Sequence, residues 1–187
     1  MSYINKTLVF EDDKIYYLDE GESECQVMMD WEDDIMKAWA DYVCENGGDI
    51  LEIGFGMGIS ANYIQANSID SHTIIENHPQ VIERAKAWAN GKSNVTIIEG
   101  DWYSVKDSLS TYDGVFYDTF GDENVDNFKI ILPTLMKSRG RATWWNNFTN
   151  TDDVFFLDST VYEAISVNPV DNMYFNSNTY YLPKKQF

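Results

Sequence analysis

Asp49-Ile50-Leu51-Glu52-Ile53-Gly54-Phe55-Gly56-Met57-Gly58-Ile59-Ser60 decides the fold. Ile50–Ile53 reads as a buried strand, and three alternating glycines follow it at once. Glycine permits a tight turn and lets the backbone approach a ligand at the N-terminus of the next helix, which includes Ser60–Ala66. The dinucleotide fingerprint is G-x-G-x-x-G, whereas here the third glycine comes one position early, at Gly58. Glu52 would repel a pyrophosphate but is tolerated beside an ammonium and a sulfonium. A glycine turn without a ligand is the plain alternative. The turn's place at a switch point in the sheet argues for a ligand.

Working outward, the chain alternates strand and helix. Residues 7–18 read as a hairpin with an acidic turn, and residues 29–46 as a helix. Trp31, Ile35, Trp39, Tyr42 and Val43 recur there at helical spacing until Gly47-Gly48. His72–Glu76 is the second strand of the series. Pro79 opens a helix through Asn90, closed by Gly91. Val95–Glu99 and Gly114–Tyr117 are further strands. A helix over 124–138 should kink or split at Pro133. Arg141–Asn146 is a fifth strand, and Thr160–Val167 and Tyr174–Leu182 form a terminal pair around an Asn-Pro turn. The expectation is α/β: a Rossmann-like, mainly parallel, doubly wound sheet with a C-terminal antiparallel hairpin. At 187 residues it is a single domain, with residues 1–27 as an N-terminal hairpin or lid and 28–187 as the core.

Composition narrows the partners. Thirty-one acidic residues against 13 basic ones give a formal charge of −18, which disfavours a phosphate backbone and hence nucleic acid. The acidity reads as solubility, or as a field that attracts cationic ligands. The longest apolar run is too short to span a membrane, and the N-terminus has no signal-peptide core. Cys25 and Cys44 are not at metal-ligand spacing, so no metal site and a cytoplasmic protein with reduced thiols are expected.

Three acids stand at successive strand ends. Glu76 follows Gly54 by 22 residues, close to the offset at which an acid meets ribose hydroxyls. Asp101-Trp102 offers an acceptor and a flat apolar face for an adenine, although Trp102 reads equally as core. Asp118, in Tyr117-Asp118-Thr119-Phe120, faces an acceptor beside the ligand or caps the following turn. Glu32, in Met28-Met29-Asp30-Trp31-Glu32, is an acceptor-binding acid or a solvated helix-start acid, as are Asp30, Asp33 and Asp34.

Val27-Met28-Met29-Asp30-Trp31-Glu32, Leu51–Gly58, Ile75-Glu76 and Tyr117-Asp118-Thr119 together resemble guanidinoacetate N-methyltransferases, members of the class I S-adenosylmethionine-dependent methyltransferases. The similarity runs from about Val27 to Asn146 and resumes in Asn178-Thr-Tyr-Tyr-Leu-Pro183. It implies that Glu32 and Asp118 grip a guanidinium. It also implies that S-adenosyl-L-methionine, leaving as S-adenosyl-L-homocysteine, is held by Met28, Met36 and the loop Gly54, Phe55, Gly56, Met57, Gly58 to Asn62; Glu52 at the strand's end and Asp118 beside the methyl donor are expected to face the cofactor as well. Glu76 and Asn77 would take the ribose, Asp101 and Trp102 the adenine, and Asn147 and Phe148 the acceptor's carboxylate through backbone amides.

Two acids suit that chemistry. A guanidinium is charged at neutral pH and a poor nucleophile, so paired carboxylates orient it and one accepts a proton. Asp118 is the expected base and Glu32 the second clamp. The acceptor would be a small guanidino acid such as guanidinoacetate, or arginine or another small amine or guanidine. A non-catalytic S-adenosylmethionine-binding protein is the alternative of a different class. The sequence departs from the family at Phe120, where a tyrosine stands, in a compressed stretch at 147–159, and in an N-terminal hairpin in place of a helical segment.

Overall fold

The computed structural model describes residues 2–151 and 157–187. Its centre is a seven-stranded sheet. β4 (Asp49–Ile53), β5 (Ser71–Glu76), β6 (Val95–Glu99), β7 (Tyr112–Tyr117) and β8 (Met136–Trp144) pair in parallel. β10 (Thr179–Gln186) joins β8 and β9 (Val161–Ser166) antiparallel, giving the order β6-β5-β4-β7-β8-β10-β9. From β4 the chain goes to β5 and β6 on one side, then returns to β7 and β8 on the other. The crevice where the order reverses therefore opens at the carboxyl end of β4, where a ligand site belongs in such sheets.

Side chains alternate across β4, and each face meets its own helices. Leu51 and Ile53 pack with Phe128 and Leu132 of α5 (Val125–Leu135), while Ile50 faces Ala40 and Val43 of α1 (Asp33–Val43) and Ile64 of α2 (Ile59–Ala66). α3 (Pro79–Ala89) places Val81 and Ala85 beside Ile74 of β5. A separate antiparallel sheet precedes this core: β1 (Val9–Phe10), β2 (Lys14–Leu18) and β3 (Glu24–Met29).

Five boundaries differ from the sequence pattern. The acidic run before Cys25 hides β3, whose Gln26, Met28 and Met29 are buried. α1 starts at Asp33 because a 3-10 turn, Asp30–Glu32, first redirects the chain. α5 runs unbroken through Pro133 and ends two residues later, near enough to its terminus for one missing donor to be tolerated. β8 begins at Met136 and absorbs a register shift against β7, with Arg139 left-handed at φ 69°. β10 starts at Thr179, which leaves Tyr174 and Phe175 in the preceding loop. Of the compressed stretch at 147–159, residues 152–156 lie outside the described residues.

Candidate active site

A cavity of about 390 Å³ opens at the strand ends. Ile53, Gly54, Phe55 and Gly56 bring the glycine loop to its wall. Gly56 lies at φ +53°, and a Cβ there would fall 2.4 Å from the sulfur of Met28, so backbone alone fits beneath that side chain. The Met57 N–H also points at this sulfur, 3.1 Å away.

Glu76 closes the end of β5 and is nearly buried. Its Oε2 accepts the Phe55 N–H at 2.9 Å, and its Oε1 accepts those of Asn77 and His78, both at 2.8 Å. A carboxylate has about four lone-pair directions, so one remains on Oε2 for a hydroxyl. Asn77 also lines the cavity. Beyond β6, Asp101 lines it while capping α4 (Trp102–Val105) through the Ser104 N–H at 3.0 Å. Trp102 is both core and cavity wall: it is buried among Tyr117 and Phe128, and its indole N–H donates to Asp122 at 2.6 Å.

Glu32 and Asp118 line the same cavity. Glu32 is 3% exposed, so it is not a solvated helix-start acid. Its Oε1 accepts the Met29 N–H at 2.8 Å and the Tyr174 hydroxyl at 2.5 Å. Burial, then the charge of Asp118, pushes the Glu32 carboxyl well above the usual range. Burial, then the charge of Glu52, does the same to Asp118. The Asp118 carboxylate accepts no hydrogen bond from the described residues, so no turn claims it as a cap. Two acids held in a water-poor wall favour an incoming cation, which restores their charge. Burial and the adjacent Glu32 raise the Tyr174 phenol, which stays a neutral donor.

Six expected site residues do not line the cavity. Glu52 shares a face of β4 with Ile50, which turns it away: its carboxylate meets Ser60 Oγ and His72 Nε2, the latter at 2.8 Å, with Glu52 and His72 fully buried. Met36 is buried with Ile35 and Trp39 on the inner side of α1. Met57 packs against the hydrophobic clusters beneath the loop, and Gly58 serves as the left-handed N-cap of α2. Asn62 accepts the Trp88 indole N–H at 2.8 Å. Phe148 is exposed, and its N–H already donates to Asn146 Oδ1 at 3.0 Å, while Asn147 does line the cavity.

Other cavity residues escaped the pattern. Asp122 accepts from Trp102 Nε1, Tyr117 OH and Thr119 Oγ1, tying the wall together. Nothing in Gly121-Asp122 distinguishes it from an ordinary turn acid. The sequence pattern places Tyr174 in a strand, although the nearby Asn172 is a turn residue. Tyr3 reaches the cavity with its ring centroid 4.9 Å from those of both His78 and Phe120. Phe120, the departure from the family pattern, thus packs on the N-terminal segment.

Glu32, Glu76, Asp101, Asp118 and Asp122 line this cavity; no Lys, Arg or His does among the described residues. No cluster of three metal-ligating side chains occurs among the described residues, nor any helix long and apolar enough to cross a membrane. Both cysteines are free.

A sequence profile described as guanidinoacetate N-methyltransferase matches residues 21–152. Protein arginine N-methyltransferase 2 of Kluyveromyces lactis is 32% identical over 219 residues, covering all of this chain and 53% of the relative. Its namesake in Saccharomyces cerevisiae is 30% identical over 220 residues, covering 99% and 52%. The chain spans about half the length of these curated relatives. Among solved structures, spermidine synthase from Thermotoga maritima matches with a TM-score of 0.67 at 11% identity, over 96% of this chain and 72% of that one. A precorrin-6y C5,15-methyltransferase from Geobacter metallireducens matches with 0.59 at 18%, over 79% and 85%. At those identities the likeness is one of fold.

Proposed function

The chain belongs to the guanidinoacetate N-methyltransferase family of class I S-adenosylmethionine-dependent methyltransferases, and from that premise we propose that it methylates a nitrogen of a guanidinium-bearing acceptor. The observation that carries this reading is that Glu32 and Asp118 line one cavity, near enough for the charge of Asp118 to act on Glu32, with no cation among the described lining residues to neutralise them.

S-adenosyl-L-methionine supplies an already activated methyl group when bound. The cavity fits it: a backbone cradle at Gly54–Gly56, a spare lone pair on Glu76 for the ribose, and Asp101 and Trp102 in the wall for the adenine. Glu32 and Asp118 would hold the guanidinium and fix which nitrogen points along the cavity. Asp118, whose carboxylate is otherwise unoccupied, would take the proton that this nitrogen must lose. Its raised proton affinity suits it to that task near neutral pH.

Among guanidinium carriers, an arginine side chain within a peptide suits the cavity best. A free guanidino acid would bring its own carboxylate among five acidic side chains. The amide of Phe148, where the family resemblance would seat that carboxylate, is already engaged by Asn146. The name of the curated relatives supports the same choice. Guanidinoacetate is the second reading, supported by the family's description and by Asn147 at the cavity.

The test follows S-adenosylhomocysteine formation with an arginine-containing peptide, free arginine and guanidinoacetate. The expected result is a kcat/KM for the peptide at least about tenfold above that for guanidinoacetate, a difference of about 1.4 kcal/mol in transition-state binding. The reverse order would replace arginine with a guanidino acid. Cofactor binding without turnover of any acceptor would leave a binding protein and end both readings.

A further inference from the structure

We propose that Tyr174 is a positioning residue that occupies one oxygen of Glu32, restricting Glu32 to a single-oxygen grip on the acceptor and leaving the two-oxygen grip to Asp118. This rests on the guanidinium reading above. An sp² oxygen offers two lone pairs, and those of Glu32 Oε1 go to the Met29 N–H and the Tyr174 hydroxyl. Oε2 accepts nothing from the described residues. Asp118 lines the cavity, and neither of its carboxylate oxygens accepts a hydrogen bond from the described residues. A planar guanidinium with five N–H donors can then make its forked pair with Asp118 and a lone bond to Glu32 Oε2.

The hydroxyl is delivered by a braced loop, not by a wandering side chain. Asn172 Oδ1 accepts the N–H groups of Tyr174 and Phe175, at 3.2 and 2.7 Å. Gln26 of β3 holds the same loop from the other side: its Oε1 accepts the Met173 N–H at 2.7 Å and its Nε2 donates to the Asp171 carbonyl at 2.8 Å. Trp31, the neighbour of Glu32, lies against both rings, 5.7 Å from Tyr174 and 5.8 Å from Phe175. The groups facing Glu32 are Asp118 from the end of β7, Met29 from β3 and Tyr174 from this loop. Tyr174 is thus the side-chain donor that offsets the repulsion between the two acids.

Tyr174→Phe tests the assignment. Expected are a rise of about tenfold in KM for the guanidinium acceptor with kcat within about threefold, and a shift of the acidic limb of kcat/KM to higher pH. S-adenosylhomocysteine affinity should stay unchanged, which reports an intact fold. A fall in KM would mean that Tyr174 only fills the acceptor's place and would overturn the proposal. In a background of Glu32→Gln, Tyr174→Phe should cost little more; full additivity would also overturn it. If the unmodified protein turns over no guanidinium acceptor, the functional reading fails. The grip is then read directly from the carboxyl titration of Glu32 by NMR, which should move upward in Tyr174→Phe; an unmoved titration would refute it.

Discussion

Gly54 lies so close to Asp118 that a Cβ added to it would stand 1.8 Å from the Asp118 carbonyl oxygen. The glycine loop and Asp118 are therefore one packed unit, bridged further by the Asp118 N–H donating to the Ile53 carbonyl at 2.9 Å. Gly54→Ala must displace one or both, and its φ of +95° is strained for any side chain. We expect a loss of about 1–3 kcal/mol in stability and at least tenfold weaker S-adenosylhomocysteine binding by calorimetry. Unchanged affinity would refute the placement of the loop at the cofactor.

Asp118→Asn separates chemistry from binding. Without the proton acceptor, turnover should fall by about 10²–10⁴-fold, while S-adenosylhomocysteine affinity stays within about threefold. Near-normal turnover would remove Asp118 from the role of base.

Stability should report the buried acid. Glu32 holds its proton more tightly in the fold than in the unfolded chain. The folded state thus binds more protons between the ordinary carboxylate pKa and the raised one, and stability falls as pH rises through that window. Glu32→Gln removes this dependence, so its stability relative to the parent should climb from pH 5 to pH 8. Charges remote from the Glu32–Asp118 pair enter both curves and cancel in the difference, while relief of Asp118 adds to it in the same direction. Parallel curves in differential scanning calorimetry would show that Glu32 is not the strained group.

Asp122→Ala leaves the Trp102 indole N–H and the Tyr117 hydroxyl without their shared acceptor. Loss of this buried acceptor costs about 1–3 kcal/mol, so the midpoint of thermal unfolding should drop by several degrees, with weakened cofactor binding. Full stability would mean that the wall is held by something else.

The glycine-loop half of this cavity was legible because it is local. Gly54, Gly56, Glu76 and Asp101 follow their strands directly, and a parallel sheet gathers its carboxyl ends into one crevice. Glu52 misled because adjacency in sequence says nothing of face: one residue along a strand reverses a side chain's direction, and Glu52 points to His72 beneath the loop. Glu32 was found through its family context, since its burial depends on a loop some 140 residues away. Tyr174 and Asp122 act through tertiary contacts that no periodicity encodes. The shift of β10 to Thr179 shows the same limit: the aromatic pair Tyr174-Phe175 fits a strand pattern but is drawn to Trp31 instead.

The acidic lining has a kinetic side as well. A crevice walled by five carboxylates, on a chain of formal charge −18, draws in cations and turns away anions before any contact is made. Such steering weakens as dissolved ions shorten its reach to about 8 Å at physiological ionic strength. Ionic strength therefore becomes a dial on capture: added salt should slow the encounter with a cationic acceptor while leaving the rate of the committed complex untouched.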